Sequence, residues 1–280
     1  MRQSTVEIIE EATRFYRTEC APLNITPTIR QYFYHLAVQR LVEKSDKGYK
    51  KASRILADAR VRGLFDWNWV FDATRQLHRP PTYESLEEYF ELVKNAYSRN
   101  KWQSQPHLLE VWIEKDAVRG TVQSVIDRYE LPLSVNRGYL SVSAKMQAVR
   151  RFRKDGRKRV VVIYIGDFDP SGVNMIHEAQ NWIEEQSSSG LLLQVDRIAI
   201  TEDDWNDPVV LRLSVNFNDS RSAWFTDKYG DEVVEVEALA PSVLQKRLEK
   251  AIRKHRVLTL WNQQVMEEES DAKELERRLR

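Results

Sequence analysis

Apolar positions recur at helical spacing through the first hundred residues, then switch to strand-like runs. Over residues 4 to 18, Ile8, Ile9, Ala12, Phe15 and Tyr16 fall on one face of a predicted helix. After Pro22, Thr26-Pro27 reads as an N-cap followed by a first-turn proline. A second helix is predicted from about Thr28 to Glu43, burying Ile29, Phe33, Leu36, Ala37 and Leu41. Ser45-Asp46-Lys47-Gly48 reads as a turn. A third helix, about Tyr49 to Arg62, stops at Gly63. Its polar surface carries Lys50, Lys51, Arg54 and Arg62. The aromatic run Leu64 to Phe71 is expected to form a short hairpin or wing. Arg79-Pro80-Pro81-Thr82 breaks the chain, and a further helix covers about Ser85 to Tyr97. A helix-turn-basic-helix followed by a short β element outlines a winged helix, whose third helix would be offered to a DNA groove. A small helical subdomain with lysines on its wet face fits the same pattern.

The polar tract Ser98 to Pro106 marks the expected boundary, dividing the chain into residues 1–100 and 101–280. Beyond it strands and helices alternate. Strands are predicted at Leu108–Glu114, Leu131–Val135, Val160–Asp167 and Leu191–Thr201, with a short last one at Glu232–Glu237. Helices are predicted at Ala117–Tyr129, Ser143–Arg153 and Ser171–Glu185, and over most of the chain from Ala240. The fold class expected is α/β, a mainly parallel sheet flanked by helices behind an N-terminal helical domain.

Composition narrows the setting. In 280 residues, 42% are hydrophobic and 30% charged, which suits a packed core under a charged surface. The net charge of +1 does not announce a nucleic-acid partner, so local clustering has to carry that case. Cys20 is the single cysteine, which excludes an intrachain disulfide and a multi-cysteine zinc site. No apolar run is long enough to span a bilayer, and the N-terminus lacks a signal-peptide pattern. The expected location is cytoplasmic, at the nucleoid in a prokaryote, with no membrane partner.

The densest chemistry lies at Val160-Val161-Val162-Ile163-Tyr164-Ile165-Gly166-Asp167-Phe168-Asp169-Pro170-Ser171-Gly172. An apolar run ends in two carboxylates one residue apart, which share a face if the strand stays extended. Glu114 ends the earlier strand Leu108–Glu114. On adjacent parallel strands the three carboxylates would meet at one edge, where such sheets place ligands. Oxygen donors of this kind suit magnesium. Asp169-Pro170 reads equally well as an N-cap and first-turn proline, and Glu114 as a partner of Lys115.

Glu114-Lys115 followed by Asp167-Phe168-Asp169-Pro170-Ser171-Gly172 resembles the Toprim signature. Its form is most similar to the A subunit of topoisomerase VI and the related meiotic double-strand-break proteins, in which a winged helix precedes the Toprim domain. That family's nucleophile is a tyrosine in a pattern matched here by Arg30-Gln31-Tyr32-Phe33-Tyr34. The resemblance implies Tyr34 as nucleophile with Arg30 assisting, and Glu114, Asp167 and Asp169 holding Mg²⁺, with Mn²⁺ as a substitute. It also implies a 5′-phosphotyrosyl intermediate in double-stranded DNA and a homodimer in which one subunit's tyrosine serves the other's metal. The chain has no Walker-type glycine loop, so ATP-driven strand passage would need a separate ATPase subunit. Small stand-alone relatives on mobile elements, and Toprim nuclease subunits of anti-plasmid defence, share the signature.

Arg30 and Tyr34 lie one helical turn apart, so a guanidinium can hold the phosphate that the phenol attacks. A phenol with a free pKa of about 10 requires activation. Tyr34 also reads as a core aromatic, and Tyr32 is the rival nucleophile. From Arg137 to Arg159 there are nine Lys or Arg and one acid, Asp155. Of these, Arg150, Arg151, Arg153 and Lys154, with Lys50, Lys51 and Arg54 upstream, are the candidate contacts to a DNA backbone. Trp67, Trp69 and Trp224 are expected to pack internally. Three functions remain in view: a topoisomerase-like enzyme cleaving through tyrosine, a Toprim nuclease using metal-activated water, and a DNA-binding assembly subunit inactive without a partner.

Overall fold

The computed structural model describes residues 3–71, 81–136, 138–187, 190–208, 210–217, 219 and 221–278. Arg79 and Pro80 of the expected chain break, and Arg137 of the basic tract, lie outside these.

Three helices open the chain: α1 (Gln3–Phe15), α2 (Ile29–Val38) and α3 (Asp46–Val61). α1 contributes Ile8, Ile9, Ala12 and Phe15 to a core, α2 contributes Tyr32, Phe33 and Leu36, and α3 contributes Ala52, Ile55, Leu56 and Ala59. Thr28, not Thr26, caps α2. Its side chain and that of Gln31 form a reciprocal capping box, which satisfies two backbone donors at the helix start. α2 ends at Val38, short of the predicted Glu43, and Arg40 turns the chain with φ of 59°. The hairpin or wing expected over Leu64–Phe71 does not form in that described segment, where residues 67–69 make a 3₁₀ turn. The aromatic pattern there serves packing: Phe65 sits edge-on to Tyr32, and Trp69 stacks on Tyr16.

α4 (Leu86–Ala96) buries none of its residues. The polar tract after it is a loop, as expected, yet Lys101, Trp102 and Gln105 are buried in it. Lys101 bridges Glu130 and Glu268 at 2.6 and 2.8 Å.

The second half alternates as predicted. β1 (Leu108–Ile113), α5 (Arg119–Tyr129), β2 (Leu133–Val135), α6 (Val142–Asp155), β3 (Arg159–Ile165), α7 (Pro170–Gln186) and β4 (Leu192–Ala199) follow in order. The four strands form one parallel sheet, ordered β2-β1-β3-β4. Helices cover both faces, which explains the uninterrupted apolar run of β3. Val161, Ile163 and Ile165 join one core with α5 residues Val122, Val125 and Ile126. Val160, Val162 and Tyr164 join the other with Val149, Phe152, Met175 and Ile176 of α6 and α7. Side-chain alternation along one strand thus feeds both layers.

The remainder is α8 (Glu202–Asn206), β5 (Leu213–Ser214), α9 (Ser222–Tyr229), β6 (Glu232–Val233), α10 (Pro241–His255) and α11 (Leu258–Arg278). β6 pairs antiparallel with β5, so the predicted strand Glu232–Glu237 shrinks to two residues outside the main sheet. From there the chain runs past the sheet's carboxyl edge, where Phe168 and Val234 form an isolated bridge. Among the described residues no helix is long and apolar enough to cross a membrane.

Candidate active site at the sheet edge

The register of β1 and β3 sets the site. Ile113 pairs with Ile165, and the Glu114 N–H donates to the Ile165 carbonyl at 2.9 Å. Both strands therefore release their acidic residues at one level. The Glu114 carboxylate accepts the Asp167 N–H at 2.9 Å and the Tyr164 hydroxyl at 3.3 Å. Gly166 makes room for this approach, and Gly172 makes room for the Asp167 carbonyl, which a Cβ there would meet at 2.4 Å. A Cβ at Gly166 would lie 2.6 Å from Glu114 Oε2, and one at Gly172 would lie 3.1 Å from it.

Asp167 is buried, and Lys115 Nζ meets its Oδ2 at 2.6 Å. Its other oxygen accepts the Val236 N–H at 2.9 Å. Asp169 has one oxygen in a helix cap. That oxygen caps α7, accepting the Gly172 N–H at 2.6 Å and the Ser171 hydroxyl at 2.9 Å. The turn between them is held by Arg197, whose guanidinium donates to the carbonyls of Gly166, Asp167, Gly172 and Ile200.

Tyr34 is buried against this edge of its own chain. Its hydroxyl donates to Glu235 Oε2 at 2.7 Å. Arg30 Nη1 reaches both Glu235 oxygens at 2.7 Å, and the guanidinium lies 5.1 Å over the Tyr49 ring. Lys115 Nζ is 3.7 Å from Glu235 and 3.4 Å from Glu237. Thus Tyr34, Glu235, Lys115 and Asp167 form one chain of contacts. Tyr32, the rival nucleophile, instead donates to the Trp69 carbonyl at 2.8 Å within the N-terminal core.

Electrostatics follow from burial and from this crowding. Burial drives Asp167 well above the usual carboxylate range, with Glu237 and Glu114 adding to the rise against the pull of Lys115. Glu114 is raised by burial and by Asp169. Burial disfavours the Lys115 ammonium, but Glu237, Asp167 and Glu235 outweigh it and keep the group charged. Burial acts to raise Glu235, yet Lys115, Tyr34 and Arg30 together hold it below its ordinary value. The Tyr34 phenol is pushed far up, first by burial and then by the Glu235 carboxylate.

The acidic side chains at this edge are oxygen donors of the type hard divalent cations such as magnesium prefer. Glu114, Asp167, Asp169, Glu235 and Glu237 offer these oxygens, with the cations Lys115, Arg30 and Arg197 set among them. The Lys115 ammonium on Asp167 shows that a positive charge is accommodated there. The cage is not preassembled: among the described residues, no three His, Cys, Asp or Glu side chains are grouped to hold a metal.

The basic candidates divide into two groups. Lys50, Lys51 and Arg54 are exposed on α3, directly after Tyr49, whose ring lies under Arg30. Arg150 and Lys154 are exposed on α6. Arg151 pairs with the buried Glu110 at 3.0 Å, and Arg153 donates to the Gln186 carbonyl at 2.6 Å. α6 leads into the start of β3, the full length of that seven-residue strand, ~20 Å, from Asp167. Trp67 and Trp224 are exposed, contrary to the expected internal packing. Each offers its ring to a cation, Arg60 at 5.1 Å from Trp67 and Lys228 at 6.0 Å from Trp224. Trp69 is half-buried.

Glu235, Glu237 and Arg197 did not stand out in the sequence. Glu235 meets Tyr34 across 201 positions, which no local pattern encodes. The available signal was the alternation Glu235-Val236-Glu237, two acids around an apolar residue. Comparisons with protein-family models, with curated proteins and with solved structures found no match for this chain.

Proposed function

We propose that this chain cleaves double-stranded DNA with magnesium, Tyr34 attacking a backbone phosphate to leave a 5′-phosphotyrosyl link. This is a topoisomerase VI A-like activity, with the N-terminal helices and the parallel sheet taking the places of that family's two domains. The observation that carries it is the convergence of Tyr34 and Arg30 with Asp167 through Glu235 and Lys115. Arg30 would hold the phosphate as a charge-assisted donor. As the phosphorus–phenol bond forms, the phenol gives up its proton and the leaving 3′ oxygen takes one up, so the exchange balances without Glu235 acting as a fixed base. Glu114, Asp167 and Asp169 would hold the magnesium ion, Asp169 through the oxygen that takes no part in its helix cap. The ion supplies charge stabilisation at the reacting phosphate and the leaving 3′ oxygen. Lys115 would then compensate Glu235 and Glu237. The exposed cations of α3 extend from Arg30 as a track for the same backbone.

The resemblance implies a homodimer with composite sites. Contacts within one chain favour a tyrosine that serves its own carboxylates. The test is covalent trapping on supercoiled DNA under denaturing conditions. A protein–DNA adduct is expected with the wild type and absent in Tyr34→Phe, while Tyr32→Phe retains it.

The burial of Tyr34 favours a second reading, a nuclease in which water attacks and Tyr34 is structural. Cleavage without an adduct, retained in Tyr34→Phe and lost in Asp167→Ala, would establish it.

A further inference from the structure

The two groups that the cleavage reading sets against the reacting phosphate, Arg30 and Tyr34, are already engaged by another group of the same chain. Arg30 spends its Nη1 on both oxygens of Glu235 at 2.7 Å. Tyr34 donates its hydroxyl to the same carboxylate at 2.7 Å. Lys115 stands 3.7 Å away on its other side. A guanidinium, a phenol and an ammonium around one carboxylate form a cradle for an anion with several acceptor oxygens, which also describes a phosphodiester. Arg30 keeps 40% of its side chain open to solvent, whereas Glu235 keeps 19%, so the cradle has a solvent side from which an anion can arrive.

We infer that Glu235 is an internal phosphate mimic, a latch that keeps the Arg30–Tyr34 cradle closed until a DNA phosphate displaces it. The latch rests on the reading of Arg30 as a backbone contact. Glu235 is well placed for such a movement. It has an extended backbone (φ −86°, ψ 148°) between β6 and a 3₁₀ turn at Val236–Ala238. The peptides around it stay anchored on either side. Val234 exchanges backbone hydrogen bonds with Phe168, and the Val236 N–H donates to Asp167. Only the side chain has to swing. Displacement transfers the Arg30 and Tyr34 donors to the phosphate, and Glu235 keeps its charge as it turns toward solvent. Neither Arg30 nor Tyr34 is then left buried without a partner.

Binding, measured without cleavage, tests this. Fluorescence anisotropy with a short DNA duplex in chelator is compared for the wild type, Glu235→Gln, Glu235→Ala and Arg30→Ala. A latch closed about nine-tenths of the time weakens apparent binding about tenfold, and its removal restores that factor. Both Glu235 variants should bind more tightly, and the gain should vanish when Arg30→Ala is added. Unchanged or weaker binding in a folded Glu235 variant, or a gain that survives Arg30→Ala, overturns the latch. If both variants fail to fold, Glu235→Asp decides: its shorter side chain keeps the charge but retreats from Arg30 and Tyr34, so tighter, Arg30-dependent duplex binding is expected, and unchanged or weaker binding overturns the latch. An Arg30-dependent gain without a Tyr34 adduct sinks the cleavage reading and leaves the latch standing. A Tyr34 adduct with no gain does the reverse, and absence of duplex binding in all proteins overturns both.

Discussion

Gly166 sets how closely Glu114 approaches the turn after β3. A Cβ there would stand 2.4 Å from the Tyr164 hydroxyl and 2.6 Å from Glu114 Oε2, closer than atoms pack. Both side chains must retreat from it, which disturbs the hydrogen bond between them. Gly166→Ala should cost about 1–3 kcal/mol, typical of overpacking a tight core. The measurement is the urea midpoint at constant slope, and an unaltered midpoint would show that the turn yields freely. At this scale the sequence was partly legible. Asp167 after a buried run could hardly be an ordinary surface acid, and its burial bears that out. Asp169-Pro170 allowed both a ligand and a cap, and the geometry uses it as a cap. Neither pattern could reveal that Glu235 would answer Tyr34, because that contact exists only once the chain has folded.

Elements with a strong period were legible in the sequence, and those held by irregular contacts were not. β1, β3, α6 and α7 follow from runs of apolar residues or spacing that nothing nearby contradicts. β5 and α9 are too short to carry a period, and the aromatic run at Phe65 and Trp69 imitated a strand while packing as a plug. One tie between elements makes a pH prediction. Asp196 of β4 accepts hydrogen bonds from Gln194, from His255 at 2.7 Å and from Lys254 at 3.0 Å, both of the latter on α10. Burial acts to raise its carboxyl, but these three donors outweigh it and bring it to about 2. An unfolded aspartate titrates near ~3.9. The folded state therefore binds this proton less readily. The stabilisation is complete above that unfolded value and fades as pH falls from there through about 2. Asp196→Asn should be less stable at neutral pH and lose less stability in acid. Because Asp196 is partly open to solvent, the effect should shrink in high salt. Parallel pH profiles of the urea midpoint in the two proteins would refute it.

Across the whole molecule, the site exists only where the N-terminal helices meet the sheet's carboxyl edge, so that seam decides function. It is made of specific close contacts. Gln31 of α2 donates to the Thr121 hydroxyl of α5 at 2.8 Å, and Gln245 of α10 donates to the Thr121 carbonyl at 2.8 Å. Leu211, Leu213 and Ala238 pack onto the N-terminal core from the other half of the chain. At the centre of the seam is Gly120. A Cβ on it would lie 2.5 Å from the Thr26 carbonyl oxygen and 3.0 Å from the Phe71 ring. The first of these is backbone and cannot turn aside, so Gly120→Ala must part α5 from the segment leading into α2. Gly120 lies within α5, where alanine on its own would favour the helix by about 1 kcal/mol. The two effects oppose each other, and each has its own readout. Helix content should stay at or above the wild-type level by circular dichroism. The seam should open, carrying Tyr34 and Arg30 away from Glu235. In the wild type, tryptophan fluorescence and circular dichroism should report one shared unfolding transition, because Ala238 packs against both cores and the Gln31–Thr121 hydrogen bond ties the two halves. In Gly120→Ala the transitions should separate or the midpoint should fall, and DNA cleavage should drop well beyond the loss of folded protein. A variant with wild-type midpoint, coincident transitions and full activity would mean that the seam does not position the tyrosine.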